Sequence, residues 1–219
     1  MLFKYLPPER IDVLRQSRIR FTPLLSLNDP FEHSMKIGEY EYSIQPELCT
    51  NATRFVSLSR NNKNLLMWSH YADSHKGFCI GFSRQHNYFK AAESVRYRRY
   101  RSNLNGASID STTPDSIAKM VALEKAIDWA YEEEERLFLD DVKINSQTVG
   151  IDLWGQEILL NKFPQSAIAS IYFGLRADES LKNEALSIAK QKNLKIDFFQ
   201  AKKKVNEFAI EFCQINKGI

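Results

Sequence analysis

Asn64-Leu65-Leu66-Met67-Trp68-Ser69-His70-Tyr71-Ala72, followed by Gly77-Phe78-Cys79-Ile80-Gly81-Phe82, decides the fold class of this chain. The Asn64 side-chain oxygen is suited to accept from the first free backbone N–H groups of a short helix. Gly77 fits the stop after that helix, and Phe78–Phe82 has too little polarity for a strand with one wet face. A short helix feeding a buried strand is the unit to look for on either side.

Towards the N-terminus, Leu2–Tyr5 is apolar and aromatic, and Pro7-Pro8 opens a helix with Ile11 and Leu14 inward. Proline suits that first turn because its missing N–H has no partner there anyway. Arg18–Thr22 and Arg54–Ser59 alternate as strands do, Ser26–Pro30 is dense in turn formers, and residues 35–53 read as a surface excursion. Towards the C-terminus, Asn103–Thr113 is a polar loop, and Pro114 starts a helix with Ile117, Met120, Leu123, Ile127 and Tyr131 on one face. A short strand is expected at Leu137–Leu139, while 145–160 gives no clear period. A strand at Ile168–Phe173, a helix at Glu179–Lys190 and strands near 194–200 and 205–213 complete the chain. Single helices between strands, with no G-x-G-x-x-G turn, predict an α+β domain over 1–219: a split, mostly antiparallel sheet flanked by helices.

Apolar residues make up 43% and charged residues 26%, as in ordinary globular proteins. No apolar run approaches the roughly 18–20 residues needed to span a bilayer, and Met1–Tyr5 lacks the features of a secretion signal. Cys49, Cys79 and Cys213 form no C-x-x-C pair, and Cys79 reads as a buried small hydrophobe. A cytoplasmic protein with no membrane partner is the expectation. A net charge of +3 does not announce a nucleic-acid binder, yet Val95-Arg96-Tyr97-Arg98-Arg99-Tyr100-Arg101 interleaves arginines with tyrosines. That segment is either an edge strand with a solvated face or a grip for phosphates and bases. Lys202-Lys203-Lys204 reads as a solvated turn.

The densest polar-aromatic cluster is Trp68-Ser69-His70-Tyr71 with His75. The spacing of the two histidines does not stack them on one helix face, and no H-E-x-x-H frame occurs, so no metal is expected. Either Trp68 and Tyr71 pack the helix while His70 bonds a carbonyl, or His70 and Tyr71 line a cleft for a planar ligand. Asn28-Asp29-Pro30-Phe31-Glu32 is either a locally bonded turn or a ligand-shaping loop. Glu132–Glu135 is either a solvated helix end or the start of a strand. In a strand, Glu132 and Glu134 share one face, able to divide the work of holding a ribose hydroxyl and orienting a nucleophile. No nucleophile elbow and no P-loop occur.

Ser-Leu-Asn-Asp-Pro-Phe-Glu (26–32), Leu-Met-Trp-Ser-His-Tyr-Ala (66–72) and His75-Lys76-Gly77-Phe78-Cys79-Ile80-Gly81-Phe82 resemble domain-of-unknown-function family twenty-nine seventy-one, as do Phe3-Lys4-Tyr5 and Trp129–Arg136. Members are bacterial, sometimes encoded near phage-defence or mobile-element genes. A looser similarity is to the ADP-ribosyltransferase fold, whose toxins carry a basic residue, a Ser-x-Ser and a Glu-x-Glu on successive strands. Here Lys4 or Arg20, Ser57-Leu58-Ser59 and Glu132-Glu133-Glu134 follow that order. The resemblance implies NAD as substrate: the basic residue on its pyrophosphate, the serines bracing the nicotinamide pocket, Tyr71 stacked on the nicotinamide, and Glu134 on the ribose. Glu134, Glu132 and His70 are then the expected catalytic residues. Lys4, Arg20, Asn28, Asp29, Ser57, Ser59, Trp68, Tyr71 and His75 are expected to bind the dinucleotide. A macromolecular acceptor is implied, with room for a neutralising partner. Two alternatives stay open. One is a nuclease-like effector holding phosphates on Arg96–Arg101 with His70 and Asp29 or Glu32 at the chemistry. The other is a non-enzymatic module sensing a ligand or partner through Trp68 and Tyr71.

Overall fold

The computed structural model describes residues 1–46, 50–104 and 113–215. Cys49 and most of the polar loop expected before Pro114 lie outside them. The chain begins with β1 (Leu2–Leu6), turns through Pro8–Ile11 into α1 (Asp12–Gln16) and returns as β2 (Arg18–Phe21). A hairpin of β3 (Ser34–Ile37) and β4 (Tyr40–Ser43) precedes β5 (Phe55–Ser59), α2 (Leu65–Tyr71) and β6 (Phe78–Phe82). Next come β7 (Glu93–Ser94), β8 (Arg96–Arg98), α3 (Pro114–Ala122), β9 (Glu124–Ala126) and β10 (Glu134–Phe138). The remainder is β11 (Ser146–Ile151), β12 (Glu157–Lys162), β13 (Ile168–Phe173), α4 (Glu179–Gln191), β14 (Asp197–Lys203) and β15 (Ile210–Gln214).

The fold is α+β. An 8-stranded sheet runs in the order β15-β14-β13-β6-β1-β5-β10-β7, and β11-β12-β2 form a separate three-stranded sheet. Within the large sheet β13 and β14, joined through α4, are parallel; the other pairs are antiparallel. Period-two alternation along β1 sorts the core. Leu2 and Leu6 pack with Val56, Leu58, Ile80, Phe82 and the inner residues of α1 and α4, whereas Phe3 and Tyr5 pack with Met67 and Trp68 of α2. Each such side chain, fully removed from water, contributes about 1.5–3 kcal/mol.

The capped helix and buried strand of residues 64–82 form as the sequence predicts. Asn64 Oδ1 accepts from the N–H groups of Leu66 and Met67, and Phe78–Phe82 is buried throughout. The helix stops through a left-handed run at Asp73, Ser74 and His75, with φ of 42°, 52° and 70°. Gly77 serves a different purpose from the expected stop: a Cβ there would lie 2.1 Å from the Leu6 carbonyl oxygen, so only glycine lets β1 approach.

Several expectations are corrected. The helix after Pro114 ends at Ala122, with Ala118 and Ala122 buried while Met120 and Ile127 are exposed. The helical period does not continue because Lys125 is drawn, on strand β9, into a cluster of carboxylates. Residues 35–53 do form a surface excursion, built on most of the β3–β4 hairpin with β4 exposed throughout, whereas 145–160, which showed no period, contains most of the β11–β12 hairpin. Lys202 and Lys203 end β14 rather than forming a turn, and the chain reverses at Val205–Phe208, both ends of which are fully exposed.

One feature of β5 positions the site. Its Ser59 end pairs with Phe3 of β1, and its Phe55 end bridges to Thr22, just beyond β2. Between them β1 and β2 splay apart, and the Ser57 carbonyl accepts from the Lys4 ammonium at 3.0 Å instead of from a ladder N–H. The sheet opens into a cleft there.

Candidate functional site

The cleft between β1, β5 and β10 has a volume of about 180 Å³, and its walls include Lys4, Asn28, Ser57, Ser59, Tyr71, Glu132 and Glu134. Strand register accounts for Ser57, Ser59, Glu134 and Arg136 sharing one face. Glu134 stands opposite Ser59 and Arg136 opposite Ser57, so both pairs project to the same side. Glu132 closes a short 3-10 turn, Glu133 takes a left-handed conformation at φ 46°, and Glu134 starts the strand. The expected solvated helix end is therefore a buried strand entry: Glu132, Glu134 and Glu135 are all at most 5% exposed. Glu133 turns aside to accept from Asn61, and Glu135 pairs with Arg84 at 2.9 Å.

Buried carboxylates persist only with partners. Arg136, fully buried, donates to Glu134 at 2.8 and 3.0 Å and to Glu32, and lies 4.4 Å from the Phe55 ring centroid. Lys125 reaches Glu132 at 2.7 Å and Glu134 and Glu32 at 3.5 Å. Tyr71 donates its hydroxyl to Glu132 at 2.6 Å, and Tyr97 accepts from the Glu134 backbone N–H at 2.7 Å.

These contacts separate the two acids. Burial pushes the Glu134 carboxyl up, but Arg136, Lys125 and Ser57 outweigh it and hold the group down at about 2. At Glu132 burial wins, helped by the negative charge of Glu134, and its carboxyl is raised despite Lys125. Burial and the adjacent Glu132 push the Tyr71 phenol far up, so it remains a donor. Lys4 moves the other way: desolvation lowers its ammonium to about 8. Two carboxyls on one face with opposed shifts form an arrangement able to divide acid–base and electrostatic roles.

The helix α2 presents its residues to different surroundings. Met67 and Tyr71, four apart, line the cleft, whereas Trp68 is 0% exposed in the core. The Trp68 indole N–H donates to the Asn62 carbonyl at 2.8 Å, and its ring stacks on His75 and meets Tyr5 edge-on. Trp68 and His75 therefore pack the helix and its left-handed exit rather than line the cleft. His70 is exposed, its ring 6.4 Å from those of Tyr71 and Tyr131, and it lines neither this cleft nor the next one. Arg20 is paired with Asp152, which also accepts from Ser26, so it too stands outside the lining.

Asp29 lines a second, larger cavity of about 440 Å³ with Phe31, Arg96, Arg98, Arg99, Tyr100 and Arg101. Glu32 and Lys125 belong to the walls of both cavities, so the two adjoin. Sequence reasoning missed Lys125 and Arg136. Their signal was a lysine and an arginine flanking the acidic run, and nothing local showed that they turn inward.

Residues 67–137 match the family described as Protein of unknown function (DUF2971). Over this segment, about a third of the chain, the protein is similar to that family. The DUF2971 segment contains both partners of the Tyr71–Glu132 hydrogen bond, together with Lys125, Arg136 and the arginine-rich strand β8. Lys4, Ser57 and Ser59 lie outside it, on the strands that complete the cleft. No curated protein and no solved structure was found to match the chain. Among the described residues no helix is long and apolar enough to cross a membrane.

Proposed function

We propose that the protein is an NAD-consuming enzyme of ADP-ribosyltransferase type, transferring ADP-ribose to a macromolecule or to water. The observation that carries this reading is the convergence of Lys4, Ser57, Ser59, Tyr71, Glu132 and Glu134 on one small cleft, from three adjacent strands, one helix and the turn that leads into β10. At about 180 Å³ the cleft suits a nicotinamide and its ribose rather than a whole dinucleotide.

In this reaction the bond between the ribose C1′ and the nicotinamide nitrogen breaks, and the bonding pair leaves with nicotinamide. Glu134, held ionised, would hydrogen-bond the ribose hydroxyl and stabilise the positive charge that develops on the sugar. Glu132, with its raised carboxyl, would take the proton of the attacking hydroxyl, amine or water as the new C1′ bond forms. Tyr71 orients Glu132 and offers a ring beside the planar leaving group.

The test is release of nicotinamide from NAD by the purified protein, alone and with a cell lysate. Glu134→Gln is expected to lower turnover by about 100-fold or more. Because Glu134 also neutralises Arg136, its fold is checked by circular dichroism, and Ser57→Ala, which removes no charge, serves as a second variant expected to lower turnover. Equal release by wild type and a folded Glu134→Gln, or none by wild type under any condition, rejects the reading.

A further inference from the structure

The dinucleotide's pyrophosphate calls for a cation beyond the small cleft, and neither basic residue expected from the sequence lines the larger cavity. Lys4 is bound to the Ser57 carbonyl at the cleft floor, and Arg20 is paired with Asp152. The larger cavity supplies what is missing. On β8 the side chains of Arg96 and Arg98 alternate with Tyr97, whose hydroxyl turns to the Glu134 backbone. Arg98 is paired with Glu124 at 3.2 Å, and Arg101 reaches Glu41 and lies 5.4 Å from the Phe31 ring. Arg96 and Arg99, both exposed, have no ion-pair partner among the described residues, and both line the cavity.

The acids on the same walls are largely taken. Glu124 also accepts from Ser102, and Glu32 is held by Arg136 and Lys125. Asp29 accepts the Phe31 N–H with one oxygen, while its other oxygen is buried without a partner, an acceptor suited to a sugar hydroxyl. Phe31 and Tyr100, 66% and 80% exposed, offer ring faces beside the arginines.

We infer that the arginine-lined cavity holds the pyrophosphate and adenosine half of the same dinucleotide, with Arg96 and Arg99 on the phosphates, while the nicotinamide half enters the acidic cleft across the shared Glu32–Lys125 wall. The assignment rests on the NAD-consuming reading, because that substrate has one planar half for the small cleft and one charged half for the large one. Arginine suits the role, since its planar fork meets phosphate oxygens in pairs.

The test uses ADP, which carries the pyrophosphate but no nicotinamide, in titration calorimetry against the full chain. Wild type and Glu134→Gln are expected to bind it, and Arg96→Ala/Arg99→Ala to bind it at least about ten-fold more weakly. Nicotinamide riboside, which carries no phosphate, is expected to bind wild type and the double variant alike. In turnover, the double variant is expected to raise KM for NAD with kcat unchanged. ADP binding that is absent in wild type, or equal in the double variant, overturns the assignment. So does a single-stranded oligonucleotide that binds through Arg96 and Arg99 and is not displaced by ADP. Should ADP bind through these arginines while wild type releases no nicotinamide, the proposed reaction fails and the pyrophosphate site stands. Nicotinamide release with an unchanged KM in the double variant leaves the reaction standing and removes this site.

Discussion

The two adjoining cavities handle charge in opposite ways. In the acidic cleft Glu32, Glu132, Glu134, Lys125 and Arg136 are buried and bonded to one another. In the arginine-lined cavity Arg96 and Arg99 stand exposed with no ion pair among the described residues. Paired buried charges fix geometry, because removing one strands another in low dielectric; unpaired exposed charges do little for the fold and remain available to a ligand. The difference separates the part of the site that holds its shape from the part that receives something from outside.

Breaking the buried network is expected to have the largest effect. Arg136→Met leaves Glu32 and Glu134 buried with Lys125 as their remaining cation, at a cost of roughly 3–5 kcal/mol. A protein of this size then melts about 10 °C lower. Arg96→Ala, made in the other cavity, is expected to stay within about 0.5 kcal/mol of wild type. Thermal melts of the two variants side by side decide the matter. Matching melting points would mean that the buried network is not the structural half of the site.

Acid should find the same weakness. Glu134 is held at about 2 against roughly 4.3 for an unfolded glutamate, so its contribution is complete above that higher value and is lost as pH falls through the lower one. The shift corresponds to about 3 kcal/mol. Glu132, raised rather than lowered, works with the opposite sign and returns part of that loss as it protonates. Urea unfolding of wild type and Glu134→Gln between about pH 6 and pH 2 is expected to show the steeper loss in wild type. Parallel curves would place the acid sensitivity elsewhere.

What could be read before the structure was whatever rests on local signals. The Asn64 cap, the apolar run Phe78–Phe82, the strand Ile168–Phe173 and the helix beginning at Glu179 each carry their pattern within a few residues. Strand alternation suggested that Glu132 and Glu134 share a face, but what brings Glu132 beside Glu134 is the 3-10 turn it closes and the left-handed Glu133, not a strand. The network around them could not be read, because Arg136 finds Glu32 across 104 residues of chain, and no local period records that pairing. The same limit explains the helix drawn through Leu123 to Tyr131: apolar spacing favours it, and Lys125 pairing with distant acids ends it. Trp68 and His70 illustrate a second limit. Polar-aromatic composition marks a segment as important, but one turn of helix decides that Tyr71 faces the cleft, Trp68 the core and His70 the solvent.

Lys4 tests the boundary between the two kinds of charge, and the effect expected of it is the smallest. Its ammonium sits at the opening of the sheet with a carbonyl as partner, and desolvation lowers it to about 8. A lysine whose folded value lies below its unfolded one destabilises the fold while it is charged, and the penalty fades as pH rises from about 8 towards about 10.4. Lys4→Met removes that penalty, though it strands the Ser57 carbonyl, worth about 1 kcal/mol in return. The expected net is a gain of about 1–2 kcal/mol at neutral pH, seen as a melting point higher by a few degrees that no longer climbs between about pH 8 and pH 10. A less stable Lys4→Met would make Lys4 a brace of the split strands. A more stable variant that has also lost nicotinamide release would place the lysine with the ligand, because a charge that weakens the fold and is needed for turnover is held there for what enters the cleft.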